Sequence, residues 1–531
     1  MGMNSRGFTL GLLATVLATS ASAQQLGHVS FKTSCTAAAQ EKFDRGLAMV
    51  HSFFYPDSVQ AFTEAAAADP QCAIAYWGIA ISHRPNPLIL PLPAAALKNG
   101  LEAVQKGKAI GATTERERDW IATMEAYYKD YDRVDQTTRG LAYENAMDQL
   151  VQKYPDDLEA AVFYALALNE TALPSDKTYA KLVKAGSILE KVLAIEPEHP
   201  GALHYMIHSY DYPSLAQRGL DAANKYARVA TGAPHAQHMP AHTYSMLGLW
   251  TQSVASNAQS RGLLREQAAR LWPGAAHPGE PHSLDFMEYA LLQMGQEQRA
   301  KQIRDDSNAI KKLGRDTLPS YTGLAAVPAR FALERLDWKE AATLEPRASQ
   351  FPQAEAITHF ARAMGAARSG DPAAAEHEVI KLKELRTALE TASQSYWGEQ
   401  VEIQMLAASA WIAHAKGQKD DAAKFMRAAA DLEDGSEKHI AMENRLYPMR
   451  ELLGDLLIEQ EQPAQALKEY VTANESTPNR LRGLYGAAKS AEGARQLEKA
   501  STYYTKLIEL TKDADSERPE VREAKNFLAK R

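Results

Sequence analysis

The chain holds only two cysteines, Cys35 and Cys72, among 531 residues. That excludes a thiolate metal site of the usual kind, a disulfide-dense scaffold, and a Cys-x-x-Cys-His haem attachment. A basic block is also missing. The formal charge of −7 speaks against a nucleic-acid partner, because phosphate neutralisation needs clustered Lys and Arg. Alternating strand patterns are nearly absent. So are a Gly-rich phosphate loop, a His-Glu-x-x-His pair, an EF-hand loop and a Gly-x-Ser-x-Gly elbow. Past residue 23, no apolar run approaches the ~18 residues that would span a bilayer.

The first 23 residues read as a secretory leader. Arg6 is its positive flank, Phe8 to Leu17 its apolar centre, and Ala21-Ser22-Ala23 its small-residue cleavage site. No Arg-Arg pair and no lipid-accepting Cys accompany it, so free export is expected, most simply to a bacterial periplasm. Cleavage removes one Arg and no acid, taking the charge from −7 to −8. In an oxidising compartment Cys35 and Cys72 are expected to pair, stapling an extension at 24–38 to the second helical hairpin. Two inert buried thiols are the alternative.

What the chain has in abundance is helical periodicity. Near the C-terminus, Leu453-Gly454, Leu457, Ala466, Tyr470, Ala473 and Pro478 alternate small and large residues where two helices would interlock, with Pro478 stopping the second. Gly486, Ala500 and Tyr504 repeat the theme. Gly46, Phe62, Ala65 and Pro70, followed by Tyr76-Trp77-Gly78, give a similar unit at the other end. Other units end at Pro155 and Pro197. Gly248 and Gly295 read as turns inside hairpins. These spacings resemble the tetratricopeptide repeat (TPR). The resemblance implies an all-α solenoid of helical hairpins, a right-handed superhelix in two sub-arrays. Expected divisions are 39–310, a degenerate stretch at 311–445 with a pair at 399–416 and 419–433, and C-terminal repeats at 446–531. Lys311 to Ser320 is the expected boundary between halves. Pro-rich loops at Pro85–Pro93 and Pro273–Pro281 flank the middle of the first array and could roof it.

Eight of the fifteen histidines fall between residues 199 and 282. His204 and His208 are spaced i, i+4, and His238 and His242 repeat that spacing 34 residues on. On helices each pair shares one face. Counted from Pro197 and from the turns at Gly248 and Gly295, both pairs take the fifth and ninth places of their units. His235 and His282 take second places, Asp285 a fifth and Tyr289 a ninth. In TPR proteins those places face the groove. Neighbouring helices lie roughly 8–10 Å apart, so imidazoles reaching inward can share an ion at about 2.0–2.1 Å per nitrogen. His204, His208, His238, His242 and His282 are the expected ligands of one transition-metal ion. Asp211, His235 and Asp285 are expected as outer partners or alternative ligands. Pro240 is expected to bend the helix between His238 and His242. His51 and His83 approach the same groove if the superhelix curls. His199 and His277, beside prolines, read as solvated. His28, His359, His377, His414 and His439 read as structural or exposed, and Met206, Met239 and Met246 as core. The competing reading is that repeat duplication copied a polar groove face whose histidines bond a peptide or each other.

The block His-Pro-Gly-Ala-Leu-His204 through Asp211, then His235-Ala-Gln-His238-Met-Pro-Ala-His242, then His282-Ser-Leu-Asp285, resembles exported bacterial TPR proteins of no settled activity. TPR domains that clamp a peptide carboxylate carry Lys and Asn where this chain carries His. Two functions follow. One is a metal-dependent protein holding copper, iron, zinc or nickel on nitrogen ligands, an oxidase, oxygenase or hydrolase if a coordination position is open, with Asp211 or Asp285 orienting a ligand or moving a proton. The other is a non-enzymatic scaffold binding a peptide in its concave groove.

Overall fold

A computed structural model describes residues 25–89 and 91–530. The expected leader at 1–23 lies outside the described residues. Those residues form an all-α array of TPR-type helical hairpins. No strand occurs among them beyond a single bridge between Ala276 and Leu313.

Hairpins form where the sequence places a small residue opposite a ring. A Cβ on Gly46 would sit 3.0 Å from the Phe62 ring, and one on Gly78 only 2.3 Å from it. Phe62 of helix Tyr55–Ala68 therefore wedges between helices Ala37–His51 and Ile74–Ser82. Tyr470 of Pro463–Ser476 does the same between Gly454 of Met449–Glu459 and Gly486 of Leu481–Gly493. This knob between two glycines is the physical content of the repeat signature, since a larger residue would push the helices apart. The hairpin turns at Gly248 and Gly295 have positive φ, 66° and 69°, which glycine adopts without steric cost. The stretch with the degenerate signature still folds as hairpins, Pro352–Arg368 with Pro372–Thr391 and Ser395–Ala415 with Lys419–Asp434.

Cys35 and Cys72 are joined in a disulfide. The extension is sealed as well as stapled. Phe31 is buried against Phe43, Trp77 and Trp120, and Gln25 O accepts a bond from Gly232 N at 2.9 Å. No described helix is long and apolar enough to cross a membrane.

Two long-range features shape the middle of the molecule. The C-terminal repeats pack against the helices Trp250–Leu271, Glu280–Gln293 and Leu318–Glu334. Trp250 Nε1 donates to Asn479 O at 2.7 Å, and Leu481 N donates to Gln293 Oε1 at 3.0 Å. Buried Arg480 bonds Glu451 and Glu334, each at 2.7 Å, and Tyr289 at 2.6 Å. The second feature is a segment of irregular structure, 436–447, that crosses the inner faces. Glu437 N donates to Pro174 O, Lys438 reaches Asp211, Thr322 donates to Ala441 O, and Glu443 N reaches Asp285.

Replacing Arg480 with Met would leave Glu334 and Glu451 buried without their cation. A loss of about 3–5 kcal/mol in unfolding free energy is expected, read from urea denaturation. An unchanged midpoint would show that the Arg480 contacts do not hold the C-terminal repeats in place.

Candidate metal centre

Each histidine is placed by a short, well-started helix. Pro200 opens Pro200–Ser209, whose N-cap His199 accepts a bond from Ala202 N through Nδ1. His204 and His208 follow one turn apart on this helix, which is buried throughout. The next inner helix is broken as its proline demands: Pro234–His238 ends, and Pro240–Met246 begins two residues later. Met239 between them keeps helical dihedrals, φ −54° and ψ −36°, and the His238 and His242 rings stand 84° from one another. His282 stands at the start of Glu280–Gln293.

The side chains gather into two triads rather than a single five-ligand set. In the first, His204 Nε2 lies 3.0 Å from His208 Nε2 and 3.1 Å from His235 Nε2. His235, expected as an outer partner or alternative ligand, thus stands among the converging nitrogens. In the second, His238 Nε2 lies 3.1 Å from His242 Nε2, with a His282 ring nitrogen within 4.8 Å of both. The triads adjoin: His235 and His238 ring centres are 5.9 Å apart, and His208 and His242 are 6.3 Å apart.

The far nitrogens decide what the near ones carry, because a neutral imidazole has one N–H and one lone pair. His242 Nδ1 faces Asp211 Oδ2 at 2.8 Å, an oxygen that also accepts from Lys438 Nζ at 3.2 Å. His238 Nδ1 faces Asn257 Oδ1 at 2.6 Å. Asn257 cannot be turned around, since its Nδ2 donates to the Ser253 carbonyl at 3.0 Å. Both Nδ1 atoms therefore donate, and two Nε2 lone pairs confront each other across 3.1 Å. His204 is fixed in the same way, with Nδ1 donating to His51 O at 2.6 Å. Burial keeps the rings neutral by disfavouring charge. It holds His238 down to about 4 and the other five far below the usual imidazole range, reinforced in most by neighbouring histidines or Lys438. A cation between the lone pairs would resolve the conflict. With metal–nitrogen bonds of about 2.0–2.1 Å, nitrogens this far apart subtend about 95° at the ion, an ordinary coordination angle. His208 Nδ1 and His282 Nδ1 are buried without a hydrogen-bond partner.

Each triad is backed by one phenyl ring. Phe53, at φ 51°, lies 4.5 Å from His204, 5.2 Å from His235 and 5.8 Å from His208. Phe286 lies 4.9 Å from His238 and from His242, and 5.1 Å from His282. Apolar walls of this kind exclude water and strengthen every electrostatic interaction inside.

Other expectations need correction. Asp285 does not meet the histidines; it pairs with Arg330 at 3.2 Å, beside Glu443, because that arginine from Leu318–Glu334 would otherwise be buried unpaired. His199 is not solvated. It is buried with His51 around Glu159, at 3.2 and 2.8 Å. Burial would raise the Glu159 carboxyl, but the two imidazoles beside it hold it far below the usual carboxylate range. This third group has no facing lone pairs to reconcile, since Tyr205 OH and Ala202 N take up the remaining nitrogens. It anchors His51, whose carbonyl fixes His204. His51 therefore serves the cluster through its backbone, while His83, half-buried at the end of Ile74–Ser82, stands outside all three groups. His277 is half-buried against Trp272. Sequence reasoning missed Asn257, Lys438, Glu159 and both phenylalanines. A buried Asn on the helix after the motif is the one faint signal among them.

No family model matches the chain, and no curated protein does. Solved helical-repeat structures align over most of its length at low similarity. Yeast Tom70 shows 12% identity over 93% of this chain and 96% of that one, with a TM-score of 0.34. The human IFIT1 dimer with PPP-AAAA shows 11% identity over 82% and 90%, with a TM-score of 0.37. The APC/C hetero-tetramer Cut9–Hcn1 shows 12% identity over 93% and 76%, with a TM-score of 0.34. Values this low carry no functional argument, and the hairpin architecture rests on the packing within this chain.

Asn257→Leu should free the His238 tautomer and weaken metal binding about 10–100-fold, whereas Asn257→Asp keeps an acceptor and should not. Competition against a chromogenic chelator measures both. Equal affinity for Leu and wild type would remove Asn257 from the site.

Proposed function

We propose that this is an exported TPR-type protein whose buried histidine chamber binds a transition metal: copper, iron or zinc. The observation that carries the reading is the pair of facing lone pairs on His238 and His242, 3.1 Å apart with both Nδ1 atoms committed elsewhere. His204, His208, His235 and His282 supply further nitrogens. An all-imidazole set without thiolate or carboxylate suits copper, zinc or iron and disfavours calcium and magnesium. A three-nitrogen site leaves a coordination position for water or dioxygen, so the bound ion would supply Lewis-acid or redox chemistry of the hydrolase or oxidase/oxygenase kind. Asp211 holds His242 and is itself neutralised by Lys438. Access favours the partly exposed His235 and His282. A cleft of about 190 Å³ is lined by Pro234, the residue before His235, with Phe54, Gly232, Leu263, Gln267 and Arg270. The disulfide is compatible with export.

The competing reading, a scaffold holding a peptide in the groove, is disfavoured beside the histidines. There the inner faces already carry the chain's own segment 436–447.

Elemental analysis of protein purified without a His tag tests the proposal. Near-stoichiometric copper, iron or zinc is expected, and it should be lost in His238→Ala/His242→Ala. Absence of bound metal, together with unchanged thermal stability on adding each ion, would leave the scaffold reading.

A further inference from the structure

We infer that the chamber is built for two copper ions side by side, one in each triad, sharing a small oxygen-donor bridge such as dioxygen or hydroxide. This rests on the metal-binding reading above and goes beyond its single ion.

Four observations carry the inference. The first is distance. Each triad closes within 4.8 Å as a group of its own. Among the described residues, the nitrogen pairs at 3.0–3.1 Å all fall inside a triad. The second is independent support. The first triad is fixed by the His51 carbonyl, the second by Asn257 and Asp211. A single ion with loose neighbours would not call for two sets of outer hydrogen bonds. The third is the pair of phenyl walls, Phe53 behind one triad and Phe286 behind the other. They close the outer sides, and the sides that remain are those where His235 meets His238 and His208 meets His242. The fourth is charge. Six neutral imidazoles supply none, and Asp211 and Lys438 cancel at 3.2 Å. A buried chamber without net negative charge suits ions that can rest in the monovalent state, and takes divalent ions best with an anionic bridge. Copper meets both conditions and prefers imidazole nitrogen.

The experiment is a titration of the full-length protein, first stripped of metal, with copper(I) under nitrogen, followed by oxidation and electron paramagnetic resonance. Two ions per chain are expected. In the copper(II) form the detectable spins should fall well below the copper content, because two bridged d⁹ ions couple. His204→Ala/His235→Ala and, separately, His282→Ala should each bind one ion tightly and give the full signal of an isolated copper. Circular dichroism establishes that each variant is folded. One ion in the wild type, abolished by a change in either triad, would overturn the two-ion inference while keeping the metal-binding reading. Two ions with full uncoupled signal would overturn the shared bridge. Binding of no copper would overturn both.

Discussion

Two imidazole Nε2 atoms held 3.1 Å apart, each with its far nitrogen facing a committed oxygen, are the constraint around which this molecule is organised. Two lone pairs turned toward each other at this separation repel unless a proton or a metal cation lies between them. Relaxing the conflict by rotating a ring would break the bond to Asn257 or to Asp211, and both partners are themselves committed, to Ser253 and to Lys438. Burying an unpaired donor at either position costs on the order of 1–3 kcal/mol. The surroundings therefore hold the rings in an arrangement that a cation between them would relieve.

The hairpin array delivers this arrangement by repetition. Small-against-large packing, as at Gly46 and Gly78 around Phe62, keeps successive inner helices close and nearly in register. Two such helices carrying the same i, i+4 pair then bring four imidazoles together, and the rings of His238 and His242 stand nearly perpendicular. The rest of the chain shields the result. Segment 436–447 brings Lys438 to Asp211, and the return of the C-terminal repeats through Arg480 keeps the helices beneath that segment in place. Segment 436–447 thus lies against Pro174, Asp211, Asp285 and Thr322 of the hairpin array.

Much of this was legible in the sequence because it depends on local spacing. Gly248, Gly295 and the glycine–aromatic pairs mark hairpins, and 34-residue register marks the shared face of His204, His208, His238 and His242. The Cys35–Cys72 pairing follows from there being only two cysteines. What stayed hidden depends on tertiary contact. Lys438 sits some 200 residues from the motif in a stretch with no signature, and Asn257 looks like any polar residue on an outer helix. His199 beside Pro200 reads as loop, yet a proline at the first helical position makes its neighbour an N-cap, buried here against Glu159. Asp285 occupies a groove place by counting, but a buried arginine on the next helix claims it. Spacing could count the histidines facing inward. It could not sort them into two groups, because that depends on which carbonyl, amide or carboxylate waits behind each ring.

Anomalous diffraction from crystals of protein purified without a His tag, recorded at the copper, iron and zinc edges, tests the facing lone pairs most directly. Anomalous density is expected between His238 Nε2 and His242 Nε2, at bonding distance from both, with Asn257 and Asp211 still holding the far nitrogens. No density there, in metal-supplemented crystals whose rings keep these positions and tautomers, would contradict it.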